Sequence, residues 1–149
     1  MDGNIDLIDL LHALNAESAR YLLVGGYAFA FHGKVRATKD VDIFVGTDAE
    51  NANRVWSALR AFGVPLEALE REDLTQTDTF FILGRAPNQI DIITTIDGIE
   101  FEEAWNRRVS SSYGPEVTFY ISREDLIRNK SAAGRPQDLV DVAYLTSNE

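Results

Sequence analysis

The chain has 149 residues, of which 45% are hydrophobic, and this is enough apolar material for the core of one globular domain over residues 1–149. The formal net charge of −10 at pH 7 argues against broad electrostatic attachment to nucleic acid, because binding to phosphates relies on Lys and Arg. The absence of cysteine excludes a disulfide scaffold, a thiolate metal site and a thiol nucleophile.

Nothing in the sequence indicates a membrane protein. No stretch approaches the roughly 18 consecutive apolar residues of a membrane span, and the N-terminal segment is acidic where a signal peptide would be basic. We therefore expect a cytoplasmic protein with no membrane partner. The excess of acidic residues suits a divalent cation, although solvated acids that only keep a protein soluble are the commoner case.

The first half of the chain alternates helix and strand patterns. Leucines at helical spacing predict an amphipathic helix over residues 4–17. RYLLVGG is typical of a short buried strand, and YAFAFHG predicts a short helix that stops at Gly33. DVDIFV predicts a second strand, and TDAENANRVWSALRAFG a helix that begins near Thr47 or Asp48 and stops at Gly63.

The second half begins with a predicted hairpin, in which the turn GRAPN joins the strands DTFFILG and QIDIITTI. FEEAWNRR predicts a helix and EVTFYI the last strand. Ser122 and Asp125 have capping-box spacing at the start of the next helix, and Pro136 suits the first turn of the final one. The predicted fold is α/β (α+β), with a small mixed or antiparallel sheet flanked by helices.

Three aspartates stand out on the predicted strands. Successive strand side chains point to opposite faces, so Asp40 and Asp42 share one face while Val41 and Ile43 face the core. On one strand, the Cα atoms of Asp40 and Asp42 would be about 6.6 Å apart. Asp91 is flanked by two isoleucines and is expected to face outward. If the two strands are neighbours, the three carboxylates converge.

Converging carboxylates are costly without a cation, because like charges raise one another's pKa. Magnesium is the expected occupant, since it is normally shared between a few carboxylates, waters and substrate phosphates. Two such ions would activate an attacking hydroxyl and stabilise a leaving phosphate. We therefore predict Asp40, Asp42 and Asp91 as ligands of Mg²⁺, with Mn²⁺ as a substitute, in nucleotidyl or phosphoryl transfer.

A Gly-Gly pair precedes these acids by about a dozen residues. Without Cβ atoms, Gly25 and Gly26 let backbone N–H groups approach a phosphate, and the following helix directs its positive N-terminal end at the same place. The predicted strand, glycine turn, helix and acidic strand form one cradle for phosphate and metal.

These elements resemble the nucleotidyltransferase superfamily related to DNA polymerase beta. Its signature is an apolar residue, Gly-Gly or Gly-Ser, about a dozen residues, Asp-x-Asp between apolar residues, and a third acid on a later strand. RATKDVDIFV and DLIRNKSAAGRPQDLVDVAYL further resemble the small bacterial AbiEii-type group, several of which are toxins of toxin-antitoxin systems. The resemblance covers about residues 20 to 145 and implies a nucleotidyltransferase fold.

The resemblance also implies roles for individual residues. Asp40 and Asp42 would bind metal, and Asp91 would bind metal and help to activate the acceptor hydroxyl. Lys130 would contact the nucleotide phosphates together with the Gly-Gly turn. Arg36 and Thr38 belong to the same nucleotide-binding pattern. Many active members carry Ser where this chain has Gly26, so a hydroxyl donor is missing.

The implied function is transfer of a nucleoside monophosphate from an NTP to a hydroxyl on an RNA end such as tRNA, on a protein or on a small molecule. The implied partners are a cognate antitoxin and a second copy of the chain. The alternative is a catalytically degenerate member that acts as a binding or regulatory partner, which Gly26 and the short chain favour.

Competing interpretations exist for the same residues. Asp-x-Asp also occurs in haloacid-dehalogenase-type phosphatases and in glycosyltransferases, but there an apolar strand usually leads into the acids, whereas KVRATK precedes them here. Asp40 and Asp42 could be solvated strand residues, and Lys130 a solvated helix lysine, since exposed charges are abundant on protein surfaces.

Overall fold

The computed structural model describes residues 5–36, 40–65, 67, 69–84 and 89–147. Its first half has the elements expected from the sequence, in the same order. They are helix α1 (Ile5–Ala16), strand β1 (Tyr21–Val24), helix α2 (Gly25–His32), strand β2 (Val41–Val45) and helix α3 (Ala49–Phe62).

The second half contains two elements that the sequence patterns did not indicate, a 3₁₀ helix at Arg71–Thr75 and strand β5 (Val109–Tyr113). The serine-rich strand VSSSY lacks the apolar alternation that predicts a strand, and it forms by pairing along its whole length with the next strand. The other elements are β3 (Phe80–Leu83), β4 (Ile90–Ile93), helix α4 (Phe101–Asn106), β6 (Glu116–Tyr120), helix α5 (Arg123–Ala133) and helix α6 (Pro136–Ser147).

The strands form a six-stranded mixed sheet in the order β3-β4-β2-β1-β6-β5. The pairs β1–β2, β3–β4 and β5–β6 are antiparallel, while β1–β6 and β2–β4 are parallel. The predicted hairpin of β3 and β4 is confirmed by its antiparallel pairing, although residues 85–88 of its turn lie outside the described residues. This mixed sheet with flanking helices confirms the predicted fold class.

Helix ends follow their predicted chemistry. The side chain of Asp48 accepts a hydrogen bond from the Asn51 N–H, and Gly63 ends α3 in the left-handed conformation. Ser122 Oγ accepts from the Asp125 N–H at 3.1 Å. The carboxylate of Asp125 accepts hydrogen bonds from two arginine side chains, so Asp125 links helices as well as standing in the first turn of α5.

The central strands contribute many of their side chains to the hydrophobic core. Val41 and Ile43 on β2, and Ile90 and Ile92 on β4, are all at most 1% exposed, as the alternation of these strands predicted. The leucine stripe of α1 is likewise buried. Within the described ranges, no helix has both the length and the apolar character needed to cross a membrane.

Candidate functional site

A cleft of about 590 Å³ opens where β1 ends and β2 begins. Helices α5 and α6 contribute its opposite wall. Six of the eight residues predicted from the sequence line this cleft, and Thr38 lies outside the described residues. The six are Gly25, Gly26, Arg36, Asp40, Asp42 and Lys130.

The glycine turn is shaped by the carboxylate that faces it. Gly25 has φ +61°, in the left-handed region, and is the first residue of α2. A Cβ atom at this position would overlap the Oδ2 atom of Asp42. Both the backbone angle and the close carboxylate therefore favour glycine at position 25.

Asp42 and Asp91 form the acid pair of the site. They are directly opposite each other on the neighbouring parallel strands β2 and β4, so their side chains share one face. The two carboxyl groups are close enough for Asp91 to act directly on the protonation of Asp42. Burial, followed by the close contact and negative charge of Asp91, raises the pKa of Asp42 to about 7. A cation bound between these carboxyl groups would take the place of the proton on Asp42 and remove the repulsion between the two acids.

Asp91 differs in one respect from its prediction. It does lie on the face opposite Ile90 and Ile92, but it is buried, with 5% exposed, and does not face solvent. The side chain of Gln89 donates a hydrogen bond to Asp91 Oδ1 at 2.7 Å. Asp42 lines the cleft and is directly paired with Asp91 in the sheet, so Asp91 reaches the cleft only through Asp42.

Asp40 precedes β2 and is exposed at the cleft. Its charge contributes to the raised pKa of Asp42, although less than the effects of burial and of Asp91. Among the residues the structure describes, no three acidic or histidine side chains are gathered closely enough to enclose a metal ion. The acid pair still suits Mg²⁺, because that ion is commonly bound by one or two carboxylates together with waters and substrate phosphates.

Lys130 is buried rather than solvated, with 7% of the residue exposed. Its Nζ lies 2.8 Å from Asp141 Oδ2 and 3.7 Å from Asp138 Oδ1. It also lies 5.6 Å from the ring centroid of Phe29 on α2. The interpretation of Lys130 as an ordinary surface lysine is therefore wrong, and its burial holds the ammonium group at the cleft.

Asp141 is the centre of a second charged cluster. Its carboxylate accepts two hydrogen bonds from Arg36, at 2.8 and 3.0 Å, and one each from Lys130 and Gln137. Burial acts to raise the pKa of Asp141, but these hydrogen bonds outweigh it and hold that pKa well below its usual range. Asp141 thus fixes a guanidinium and an ammonium group at one end of the cleft.

Arg135 and Asp138 extend this cluster. Arg135 Nε donates to Asp138 Oδ2 at 2.6 Å, and this hydrogen bond is the main cause of the lowered pKa of Asp138. Four further residues line the cleft that the motif did not indicate, namely Arg135, Gln137, Asp138 and Asp141. Asp138 and Asp141 are three residues apart on one helix, and this spacing puts both acids on one face.

A protein-family model described as "Nucleotidyltransferase of unknown function (DUF6036)" matches residues 5–146. The matched segment includes the glycine turn, the acid pair and the helices that carry Lys130 and Asp141. A comparison with curated protein sequences found no significant relative.

Proposed function

Since this chain belongs to the nucleotidyltransferase family DUF6036, we propose that it transfers a nucleoside monophosphate from an NTP to an acceptor hydroxyl in a magnesium-dependent reaction. The observation that carries this proposal is the acid pair, in which Asp42 faces the glycine turn in the cleft and is paired with the buried Asp91 on the neighbouring strand. Two desolvated carboxyl groups in contact have little structural benefit, and they suit a site that receives a cation with its substrate.

The triphosphate is proposed to lie between the glycine turn and the cluster around Asp141. Gly25 and Gly26 begin an eight-residue helix, whose N-terminal backbone groups favour negative charge. Across the cleft, Lys130 and Arg36 supply positive charge. Asp141 keeps both cations in place before the nucleotide arrives, so little ordering is needed on binding.

Asp42 and Asp91 would hold the magnesium ion, with Asp40 at the mouth of the cleft as the proposed third ligand. Bound there, the ion would neutralise charge on the triphosphate and on the leaving group. Mn²⁺ would be accepted by the same hard oxygen ligands.

In the proposed reaction the acceptor oxygen forms a bond to the α-phosphorus of the NTP. The bond from that phosphorus to the bridging oxygen of the β-phosphate breaks, and pyrophosphate leaves with the bonding electrons. The proton of the acceptor hydroxyl passes to a carboxylate oxygen of the acid pair, which is the role proposed for Asp91. Positioning and charge neutralisation provide most of the rate enhancement.

The narrower assignments are also proposals. We propose membership of the AbiEii-type group and action as a toxin, with a cognate antitoxin as the partner and self-association as a second mode of regulation. The acceptor classes are an RNA end such as tRNA, a protein hydroxyl or a small molecule. Growth arrest on induced expression, abolished by Asp42→Asn, tests the toxin role.

One observation favours a second candidate, a nucleotide-binding protein without catalysis. Arg36, Lys130 and Arg135 at the cleft are each already paired with Asp138 or Asp141. Together with Gly26 in place of a serine hydroxyl, this pairing weakens phosphate binding relative to unpaired cations. Metal-dependent release of pyrophosphate would exclude this candidate, whereas NTP binding without product over many acceptors would favour it.

The first experiment is calorimetric titration of ATP, GTP, CTP and UTP into the protein, with and without Mg²⁺. It compares the wild type with an Asp40→Asn, Asp42→Asn double variant and with the control Asp9→Asn, which changes an exposed aspartate on α1. The proposal expects magnesium-dependent binding in the wild type and the control, and its loss in the double variant. Absence of binding to all four nucleotides in the wild type would contradict it.

A further inference from the structure

A glutamine amide holds one oxygen of Asp91. Gln89 immediately precedes β4 and Asp91 is the second residue of that strand, so both side chains point to one face of the sheet. The Gln89 Nε2 group donates a hydrogen bond to Asp91 Oδ1 at 2.7 Å. Because Asp91 is only 5% exposed, little water competes for this contact, and the carboxylate is held in one orientation.

The backbone of Gln89 is fixed by the neighbouring strand β2. The Val41 N–H donates to the Gln89 carbonyl oxygen at 3.0 Å. In the parallel register of β2 and β4, Asp42 is paired with Asp91. The same register, continued back by two residues, sets Asp40 opposite Gln89. The start of these two strands therefore carries three carboxyl groups and one amide.

The amide does not neutralise the acid that it holds. Gln137 makes a similar contact with Asp141 Oδ1 at 2.9 Å, but Asp141 is also bound by two cationic side chains. An amide carries no formal charge, so Gln89 fixes the orientation of Asp91 and does not reduce its negative charge. This combination suits a carboxylate that is prepared for a cation.

The orientation of a carboxylate affects which divalent ion it binds. Ca²⁺ accepts carboxylates through one oxygen or both and tolerates a flexible geometry, whereas the smaller Mg²⁺ requires near-ideal octahedral geometry and retains several waters. Binding through both oxygens of Asp91 would compete with the hydrogen bond from Gln89, because Oδ1 already accepts it. Binding through Oδ2 alone would leave this hydrogen bond intact.

We propose that Gln89 is a positioning residue that selects Mg²⁺ over Ca²⁺, because it presents Asp91 to the ion through a single oxygen. The inference rests on the proposed function, in which Asp42 and Asp91 bind the metal, and it specifies which ion that site prefers. Gln89 acts through Asp91, so its effect is on metal binding and precedes any reaction of the nucleotide.

The test measures metal binding to the full chain, with and without α,β-methylene ATP, an analogue that cannot be cleaved at the bond broken in the proposed reaction. Mn²⁺ binding is followed by electron paramagnetic resonance, and the affinities of Mg²⁺ and Ca²⁺ are obtained from their displacement of Mn²⁺. The variant Gln89→Met has a side chain of similar length without the N–H donor. The control Gln76→Met changes an exposed amide that donates to Thr75.

Gln89→Met should weaken Mg²⁺ binding by about 10–100-fold, the usual loss when a hydrogen bond to a metal-binding group is removed. Ca²⁺ binding should weaken less, since both oxygens of Asp91 become available to it, and Gln76→Met should match the wild type. Infrared difference spectra between metal-loaded and metal-free protein report the binding mode, with the Asp91 bands assigned by their loss in Asp91→Asn. The wild type should show binding through one oxygen, and Gln89→Met with Ca²⁺ binding through both.

Three results would overturn the inference: unchanged Mg²⁺ affinity in Gln89→Met, equal losses of Mg²⁺ and Ca²⁺ affinity, or binding of Mg²⁺ through both oxygens of Asp91 in the wild type. The last result needs no variant, and thermal melting checks that Gln89→Met is folded. If Asp42→Asn loses the metal but Gln89→Met keeps the preference for Mg²⁺, only the role of Gln89 is contradicted. A wild type that binds none of the three ions, with or without the nucleotide analogue, contradicts the metal-dependent transferase itself.

Discussion

Two clusters of acidic residues share the cleft, and their environments change the pKa values in opposite directions. Asp42 lies against another carboxyl group, and burial together with Asp91 raises its pKa to about 7. Asp141 is buried as well, but hydrogen bonds from Arg36, Lys130 and Gln137 outweigh burial and lower its pKa. The comparison shows that neighbouring groups, more than depth, decide whether a buried aspartate is charged.

The opposite pKa shifts also indicate different roles for the two clusters. The cluster around Asp141 is electrostatically satisfied, with each buried carboxylate bound by cations, and its contribution is to fix the positions of charges. The acid pair is satisfied only with a proton or a cation, and such unbalanced groups are characteristic of functional sites. The following variants test this division, beginning with the one expected to have the largest effect.

Replacing Asp141 by Asn should lower the free energy of unfolding by about 3–5 kcal/mol, because it removes the negative charge that pairs with the buried Lys130 and the partly buried Arg36. For a chain of this size the melting temperature should fall by roughly 6 °C or more. Calorimetric or fluorescence melting measures the change. The control Glu102→Gln breaks the exposed pair with Arg20 and should shift stability by less than about 0.5 kcal/mol. Equal melting of wild type and Asp141→Asn would contradict the structural role.

Replacing Asp42 by Asn should reduce nucleotidyl transfer by about 10²–10³-fold, through loss of charge stabilisation in the reaction. Its melting temperature without metal should stay the same or rise, since the variant relieves a costly pair of carboxyl groups. Pyrophosphate release and thermal melting test the two parts, with Asp9→Asn as the surface control. Full activity of Asp42→Asn would refute the assignment of the acid pair.

Replacing Gly25 by Ala should destabilise the protein by about 1–2 kcal/mol more than replacing Gly134 by Ala. Both glycines have similar left-handed φ angles, +61° and +67°, so the backbone strain is matched. Only at Gly25 does the added Cβ overlap the carboxylate of Asp42, while at Gly134 the nearest atom lies 3.7 Å away. Chemical denaturation of both variants measures the difference, and equal losses would show that Asp42 yields without cost.

The pH dependence of stability tests the acid pair without changing the fold. The pKa of Asp42 rises from 3.8 to about 7 on folding, so its contribution to stability is complete below pH 3.8 and is lost as pH rises through about 7. Without divalent ions, the melting temperature of Asp42→Asn relative to wild type should therefore increase by a few degrees from pH 5 to pH 8. Adding Mg²⁺ at pH 8 should raise the melting temperature of the wild type alone. If the difference in melting temperature between Asp42→Asn and the wild type did not change with pH, the raised pKa of Asp42 would be contradicted.

Much of the fold was predictable because its local patterns agree with its packing. The leucine spacing of α1, the Asp48 cap and Gly63 stop of α3, and the position of Pro136 all act within a few residues. Strand β5 was missed because its three serines give no local preference for a strand. It forms only through pairing with β6, and Gly114, at φ +59°, follows it in the connection.

The site was predicted in part. The motif led to Gly25, Asp42 and Asp91, and their meeting in space followed from the assumption that β2 and β4 are neighbours, which the structure confirms. The burial of Lys130 was not visible in the sequence. Helical spacing places Asp138 and Asp141 on one face of α6, but it does not say which cations they meet.

Local patterns and the motif predicted most of the helices and strands, the acids at positions 42 and 91, and a nucleotidyltransferase family, because each of these depends on residues close together in the chain. The tertiary structure alone decided the protonation chemistry. Arg36 and Asp141 are 105 residues apart in the chain. Asp42 and Asp91 come from strands separated by helix α3, the 3₁₀ helix and strand β3. Distances and burial set the pKa of a carboxyl group, and both arise only when distant segments pack together.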